Sequence, residues 1–237
     1  PNFFRAATNN DVENKYGYRY GKWLTASLYA KCEFVGISKG DCSCKIEYAY
    51  DLPNLQDEKV HLVYEVYGDG KIIVDMSYQP VVSEIEMPVF GLIFQLYKDM
   101  EEVNYYGFGP EENYIDRNKG ALLGKYTYQV TDNLTPYLYP QECGNRTHVR
   151  ELSVAGENTK LKIKGEDFEF TALHYTPYEL ENARHKDELP NVYQTVLCIN
   201  EKQMGVAGDD TWGAKTHDEF LLDKEKHHLR FSFKGKL

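Results

Sequence analysis

Acidic side chains are the first candidates for chemistry in this 237-residue chain. Cleavage of a glycosidic bond needs two carboxyl groups that face each other about 5–9.5 Å apart. Adjacent acids occur at Glu111-Glu112 and at Asp209-Asp210. Because neighbouring residues in an extended chain point to opposite faces, neither couple predicts such a site. We interpret both couples as turn-forming or solvated charges.

Other kinds of catalytic site and metal sites are not expected either. We recognise no nucleophile elbow, no phosphate-cradling glycine loop and no metalloprotease helix. The five cysteines are an odd number, and Cys42 and Cys44 lie too close for a structural disulfide. We expect free thiols in a reducing compartment and no metal site. His185 and His217 are each flanked by charges and are interpreted as surface hydrogen-bonding groups.

A glycine-rich segment, Gln203–Gly213, carries one of the two tryptophans, Trp212, close after Asp209 and Asp210. An indole face can stack on the C–H face of a sugar ring, and neighbouring carboxylates can accept hydrogen bonds from its hydroxyl groups. A tryptophan at this place can equally fill the core, because the side chain is mostly buried in either role. The residue types alone leave both interpretations open.

The elements that must position these residues are predicted to be short strands, because apolar and polar residues alternate in several segments. Gly68-Asp-Gly70 predicts a hairpin between two of them. Thr176-Pro-Tyr-Glu179 predicts one short helix to about His185, in which Thr176 caps, Pro177 takes the first position and Glu179 closes a capping box. The predicted strands are Lys45–Tyr50, Leu62–Tyr67, Lys71–Tyr78, Val89–Leu96, Phe168–Tyr175, Tyr193–Ile199 and His228–Phe233.

Two long segments, Tyr105–Arg150 and Gln203–Asp218, are crowded with Gly, Pro, Asn, Asp and aromatic residues. Irregular segments of this length are usually functional or interface-forming. Aromatic residues make up 14 % of the chain, which suits pleated surfaces. No linker or repeat divides the sequence, so we predict one all-β domain over residues 1–237, built of antiparallel sheets with long irregular loops.

The charge of the chain limits its partners. A formal net charge of −10 would repel nucleic acid and anionic membrane surfaces, so neither is expected to bind. No stretch approaches the roughly 20 apolar residues of a membrane-spanning helix, and the first residues lack a basic region followed by an apolar one. We expect a soluble, cytoplasmic protein, or a periplasmic one if a longer parent chain carries a signal peptide. The start at Pro1, without methionine, favours an internal cut in such a parent.

Four segments resemble signatures of the C-terminal domain of the large β-galactosidases of glycoside hydrolase family 2. The segments are Phe4–Asp11 (FRAATNND), Phe108–Arg117 (FGPEENYIDR), Thr135–Arg146 (TPYLYPQECGNR) and Gln203–Trp212. They occur in the family's order and cover most of the chain. The resemblance implies an antiparallel supersandwich similar to galactose mutarotase. It also implies a part in the hydrolysis of terminal β-galactosides such as lactose.

The resemblance further implies that the catalytic glutamates, with magnesium and sodium ions, belong to a (β/α)₈ barrel and neighbouring segments outside this chain. The chain by itself is therefore expected to be inactive and to hold no cofactor. Its implied partners are the β-galactoside and the remaining domains of a homo-oligomeric parent enzyme. A separately encoded small subunit, with mainly an assembly role, is the alternative. An autonomous mutarotase is not expected, because the motifs around a paired histidine and carboxylate are missing.

The resemblance assigns roles to individual residues. Trp212 matches the family's tryptophan that reaches into the active-site pocket, which favours the sugar-stacking interpretation. Asp209 and Asp210 match as well and are expected to brace the loop through backbone hydrogen bonds. From the glycine, charge and tyrosine content of the N-terminal segment, Asn10 and Asp11 are expected to contact substrate and, with the following residues Val12–Gly21, to form a loop at the barrel mouth.

Overall fold

A computed structural model of the chain describes residues 1–53, 55, 59–80, 86–210, 212–222 and 226–236, and these residues form eleven β-strands. All strand pairings in this part of the chain are antiparallel, which confirms the predicted all-β class. The strands are β1 (Lys31–Lys39), β2 (Ser43–Asp51), β3 (Lys59–Tyr67), β4 (Lys71–Tyr78), β5 (Val89–Tyr97), β6 (Glu102–Gly109), β7 (Leu122–Gln129), β8 (Arg146–Ala155), β9 (Lys160–Leu173), β10 (Gln194–Gln203) and β11 (His227–Lys236). The helices are α1 (Asn9–Glu13), α2 (Tyr16–Tyr29) and α3 (Pro177–Asn182).

The strands form one branched sheet whose main path runs β1-β2-β3-β4-β11-β9-β8-β6-β7. The branch lies at β9, which has 14 residues and shares one of its edges between two partners. Residues 160–165 of β9 pair with β11, whereas residues 169–173 pair with β10. Strand β10 pairs in turn with β5. The sheet therefore divides halfway along β9, and β5 and β10 leave the main path there.

Aromatic contacts show that β5 packs against the inner face of the main path. The ring of Phe94 in β5 makes edge contacts with Phe231 and Phe233 of β11, with centroids 6.2 and 5.9 Å apart. Phe90 of β5 stacks on Tyr78 of β4 at 6.3 Å. Strand β5 is not hydrogen-bonded to either of these strands, so the contacts join two layers. The hydrophobic core lies between the layers.

The N-terminal segment is helical where the sequence predicted a loop. Helix α1 follows Thr8, whose hydroxyl accepts from Asp11 N at 3.2 Å while the Asp11 carboxylate accepts from Thr8 N at 3.0 Å. This reciprocal capping box satisfies two backbone donors that a helix start leaves unpaired. The prediction that Val12–Gly21 forms a loop is therefore wrong, because the end of α1 and the first part of α2 occupy it.

Helix α2 carries the second tryptophan into the core. Tyr16, Tyr20, Trp23 and Ala26 are its buried residues, and this spacing of four, three and three places them on one face. Trp23 is 1 % exposed, packs against Phe3 with ring centroids 6.2 Å apart, and donates its indole N–H to a backbone carbonyl. In the described part of the chain, no helix is long and apolar enough to cross a membrane.

The remaining local predictions have mixed outcomes. The hairpin around Gly68-Asp-Gly70 is confirmed as β3 and β4, and the Thr176 capping box begins α3 as predicted. Helix α3 ends at Asn182, before His185, because Ala183 has left the helical conformation with φ −88° and ψ 125°. The prediction that Tyr105–Arg150 is irregular throughout is wrong, since it contains β7, most of β6 and the start of β8. The chain also has three α-helices rather than one in its described residues.

Candidate functional site

Trp212 lies at the surface and is 86 % exposed. The backbone N–H groups of Trp212 and Ala214 both donate to Asp210 Oδ1, at 2.8 and 3.2 Å. An aspartate that accepts from backbone groups two and four residues further on holds the chain in an Asx-type turn. This exposure rules out the core-filling interpretation of Trp212, and Trp23 is the tryptophan that fills the core.

Asn10 fixes the chain directly after Trp212. Its Nδ2 donates to Ala214 O at 3.0 Å, and its Oδ1 accepts from Gly213 N at 3.3 Å. Gly213 has a φ of +97°, and a Cβ built there would lie 2.8 Å from the carbonyl carbon of Glu13, so the position favours glycine. The structure thus brings together two predicted segments, with Asn10 and Gly213 lying 203 residues apart in the sequence.

Asp11 connects α1 to the base of the loop that carries Trp212. It is 3 % exposed, and its Oδ2 lies 3.0 Å from Nη2 of Arg5, which is 2 % exposed. The same nitrogen of Arg5 donates to Gly205 O at 3.0 Å. Burial, the largest single influence, disfavours the charged guanidinium, but Asp11 together with Tyr16, Glu142 and Tyr114 outweighs it, so the pKa of Arg5 lies above its ordinary value. The contacts that Asp11 makes within the chain hold Arg5 and the start of α1 in place. Contact between Asp11 and substrate stays a prediction.

The same loop has further attachments along its length. Asp209 pairs with His217 through Oδ1 and Nε2 at 2.8 Å, and both side chains are exposed. Asp116 Oδ2 accepts from Ala207 N at 2.8 Å. An exposed pair such as Asp209–His217 adds little to the free energy of unfolding. The loop that presents Trp212 is therefore held mainly by three residues outside it, which are Arg5, Asn10 and Asp116.

A cleft of about 760 Å³ opens beside Trp212. This volume falls in the range of small-molecule sites, which is about 300–1,000 Å³. Helix α1, the segment around Tyr139 and the residues after α3 form its other walls; Tyr139 is 44 % exposed and lies with its ring 6.1 Å from that of His185. The lining residues are Ala7, Asn9, Val12, Glu13, Tyr139, Pro140, Glu181, Ala183, Arg184, His185 and Trp212.

Two carboxylates line this cleft, and one of them is held by the backbone. Glu181 Oε2 accepts from Ala7 N at 2.7 Å. Burial raises the pKa of Glu181, although the hydrogen bond from Ala7 opposes the rise. Glu13, at the end of α1, is exposed. The cleft therefore combines an exposed indole with carboxylates, the Arg184 side chain and the Tyr139–His185 pair, which are groups that can bind a ring and its hydroxyl groups.

Two glutamates inside the fold position the start of the Trp212 loop. Burial raises the pKa of Glu142 to about 7 and that of Glu169 to about 8. Gln203 joins them, since its Nε2 donates to Glu142 Oε1 at 3.2 Å and its backbone N–H donates to Glu169 Oε2 at 3.3 Å. Both glutamates are buried. They therefore hold the chain where β10 ends and the loop begins.

The structure also tests for metal sites, disulfides and a nucleophile elbow. The described residues contain no group of three or more His, Cys, Asp or Glu side chains placed to hold a metal ion. All five cysteines are free thiols, as predicted. The spacing Gly36-Ile-Ser-Lys-Gly40 matches a nucleophile elbow, but these residues belong to β1 and its hairpin turn into β2. An elbow needs a turn from a strand into a helix, so this match has no catalytic meaning.

Sequence reasoning missed most of the cleft. Tyr139, Glu181 and Arg184 were not recognised as site residues, and His185 was interpreted only as a surface group. Tyr139-Pro140 lies in a predicted irregular segment, and an aromatic residue in such a segment was the available signal. Glu181 and Arg184 carry no such signal, because they reach the cleft only through the packing of α3 against the N-terminal segment.

Comparisons with known proteins bear on the family to which the chain belongs. The family model described as Beta galactosidase small chain matches residues 1–234. A β-galactosidase of Streptococcus thermophilus is 39 % identical over 97 % of this chain, which spans 23 % of that protein; a β-galactosidase small subunit of Latilactobacillus sakei is 28 % identical over 98 % of this chain, which spans 83 % of it. A solved GalM/aldose epimerase homologue from C. elegans aligns with a TM-score of 0.43 and 12 % identity, over 87 % of this chain and 68 % of that one. The chain belongs to the β-galactosidase small-chain family.

Proposed function

We propose that this chain presents Trp212 to the sugar ring of a terminal β-galactoside, such as lactose, in the active site of a β-galactosidase. The observation that carries the proposal is the 86 % exposure of Trp212 on a loop held by Asp210 and Asn10. Leaving a large indole in water is unfavourable unless something covers it, and a sugar ring can stack on its face. Asn10 and Asp11 then act mainly by positioning the loop.

The hydrolytic step is assigned to the rest of the enzyme. The chain spans 23 % of the Streptococcus thermophilus relative, so most of such a protein lies outside it. We propose that the catalytic glutamates, with the magnesium and sodium ions, are carried by that remaining part. The isolated chain is then inactive, and a galactosidase assay on the chain alone tests this directly. Hydrolysis by the purified chain, abolished by Trp212→Ala, would contradict the assignment.

The stacking role is tested in the complete enzyme with Trp212→Ala and Trp212→Phe. Aromatic stacking contributes about 1–3 kcal/mol in comparable platforms, which corresponds to a change of about 5- to 150-fold in binding. Because a platform supports ground state and transition state alike, we expect KM to rise and kcat to change less, with Trp212→Phe closer to the wild type. Phe34→Ala is the matched control, since Phe34 is a 57 % exposed aromatic residue on β1. An unchanged KM in Trp212→Ala would refute the stacking role.

A second candidate is a separately encoded small subunit whose main role is assembly. The relative that favours it is the Latilactobacillus sakei protein named as a β-galactosidase small subunit, of which this chain spans 83 %. The two candidates differ in what Trp212→Ala does at saturating concentrations of the chain. A pure assembly role predicts full activity once the complex has formed. A substrate-contacting role predicts a raised KM that added chain does not correct.

A further inference from the structure

Rows of lysines cross the outer face of the sheet. On β11, Lys234 lies directly opposite both Lys71 of β4 and Lys162 of β9. Two residues further along β11, Lys236 lies opposite Lys160 of β9. Like charges directly opposite one another in antiparallel strands destabilise the pairing. The chain as a whole has a net charge of −10, so this face reverses the sign of the molecule locally. We name these five residues the lysine rows.

The lysine rows are only partly neutralised within the chain. Lys234 Nζ lies 3.2 Å from Asp69 Oδ2, and the Lys71 ammonium lies 4.3 Å from the centre of the Tyr67 ring. In the part of the chain that the structure describes, Lys160, Lys162 and Lys236 make no ion pair. Carboxylates from outside the chain would therefore meet ammonium groups that still lack an opposite charge.

An apolar cleft of about 900 Å³ adjoins the lysine rows at the end of the sandwich. Its apolar lining residues are Leu96, Tyr97, Met100 and Leu161, and Lys160 and Lys236 line it as well. Tyr97 is 71 % exposed. An apolar floor beside unpaired ammonium groups fits a partner that carries an apolar side chain next to carboxylates.

We propose that the lysine rows and this cleft together form the docking surface for an acidic polypeptide segment that carries an apolar anchor and belongs to the remaining part of the β-galactosidase. This inference rests on the proposed function, because that function requires the rest of the enzyme to hold this chain. Charge complementarity selects the partner. A second copy of the chain would set the same lysines against one another, and repulsion between like charges opposes such a contact.

The test measures association between this chain and the remainder of its own β-galactosidase, expressed separately. Lys160→Glu with Lys236→Glu is the test variant, and Lys39→Glu with Lys45→Glu, which changes the net charge equally at exposed positions of β1 and β2 away from the lysine rows and the cleft, is the matched control. We expect the test variant to raise the Kd at least about tenfold at low salt and less at high salt, because salt screens the exposed charges. Tyr97→Ser should also raise the Kd, at all salt concentrations.

Each possible outcome decides for or against the docking surface. Equal Kd changes in the test and control variants, or no change in either, would overturn it. So would a dimer of the chain alone that the test variant abolishes, since the occupant would then be a second copy. The melting temperature of the test variant should match that of the control, which excludes misfolding. Failure here is distinct from failure of the stacking role, because the lysine variants should retain full activity at saturating chain, whereas Trp212→Ala should retain the Kd.

Discussion

Replacing Asp11 by asparagine removes the negative charge from the buried Arg5–Asp11 pair and keeps the size of the side chain. The guanidinium would then lie 2 % exposed without this counter-ion. Its Nε and Nη1 have no hydrogen-bond partner among the described residues, and Nη2 would keep the carbonyl of Gly205 and a neutral amide oxygen in place of the carboxylate. Breaking one side of a buried ion pair costs about 3–5 kcal/mol, because the other charge is left uncompensated.

This cost should appear directly in the stability of the chain. For a chain of about 150–250 residues, each kcal/mol lowers Tm by about 2–4 °C, so we expect Asp11→Asn to lower Tm by about 6–20 °C. Urea unfolding followed by circular dichroism should give a lower midpoint with an unchanged m-value. The carboxyl group of Glu142 also favours the charged form of Arg5. When Glu142 is ionised, it partly replaces the lost charge of Asp11, and the decrease in Tm should then lie at the lower end of the range of about 6–20 °C.

Two further variants distinguish the contribution of the ion pair to stability from that of the helix cap. Thr8→Ala removes the hydroxyl that accepts from Asp11 N but keeps the contact with Arg5, and loss of a cap costs about 1 kcal/mol. Arg5→Met combined with Asp11→Leu replaces both charges by apolar groups and should recover much of the loss in Asp11→Asn. A loss in Asp11→Asn no larger than that in Thr8→Ala would refute the conclusion that the buried charge pair holds the base of the loop.

Three other predictions concern groups in the same fold. Acrylamide should quench the fluorescence of Trp212 strongly and that of Trp23 weakly, so Trp212→Phe should leave a shielded emission; an easily quenched emission in that variant would contradict the burial of Trp23. Burial raises the pKa of Glu142 to about 7 and that of Glu169 to about 8, above the usual value of about 4.3, so the contribution of these two groups to stability is full below that value and is lost as pH rises to about 8. The glutamine variants should therefore lose this part of the pH dependence in urea titrations from pH 5 to 8. Thr176→Ala should cost about 1 kcal/mol in the same assay, through loss of the α3 cap.

Strands with clean alternation could be predicted from the sequence, and the helix α2 could not. The residues Tyr16, Tyr20, Trp23 and Ala26 do follow helical spacing, so the pattern is present. The residue types argue against a helix despite this spacing, because aromatic residues are typical of strands and the two glycines of α2 weaken a helix by about 1 kcal/mol each. Tertiary burial of the aromatic face outweighs that local preference.

Strands β7 and β8 were missed for a different reason. Their surroundings contain many turn residues, and β8 begins with an irregular register in which His148 has a φ of +53°. A residue in this left-handed region breaks the alternation on which strand prediction depends. The flanking segments 110–121 and 134–145 are outside the named strands, so the prediction of irregular chain was correct there and too broad elsewhere.

The environment of Trp212 depends on contacts that no local pattern contains. The residues that hold its loop come from the N-terminal segment, through Arg5 and Asn10, and from the segment before β7, through Asp116. A tryptophan beside glycines and aspartates is compatible with burial or exposure until those contacts exist. The family resemblance supplied the predicted role of Trp212, and the fold shows the indole exposed as that role requires. Substitutions at Arg5 or Asn10, which stand away from the indole, should therefore weaken sugar binding by displacing it.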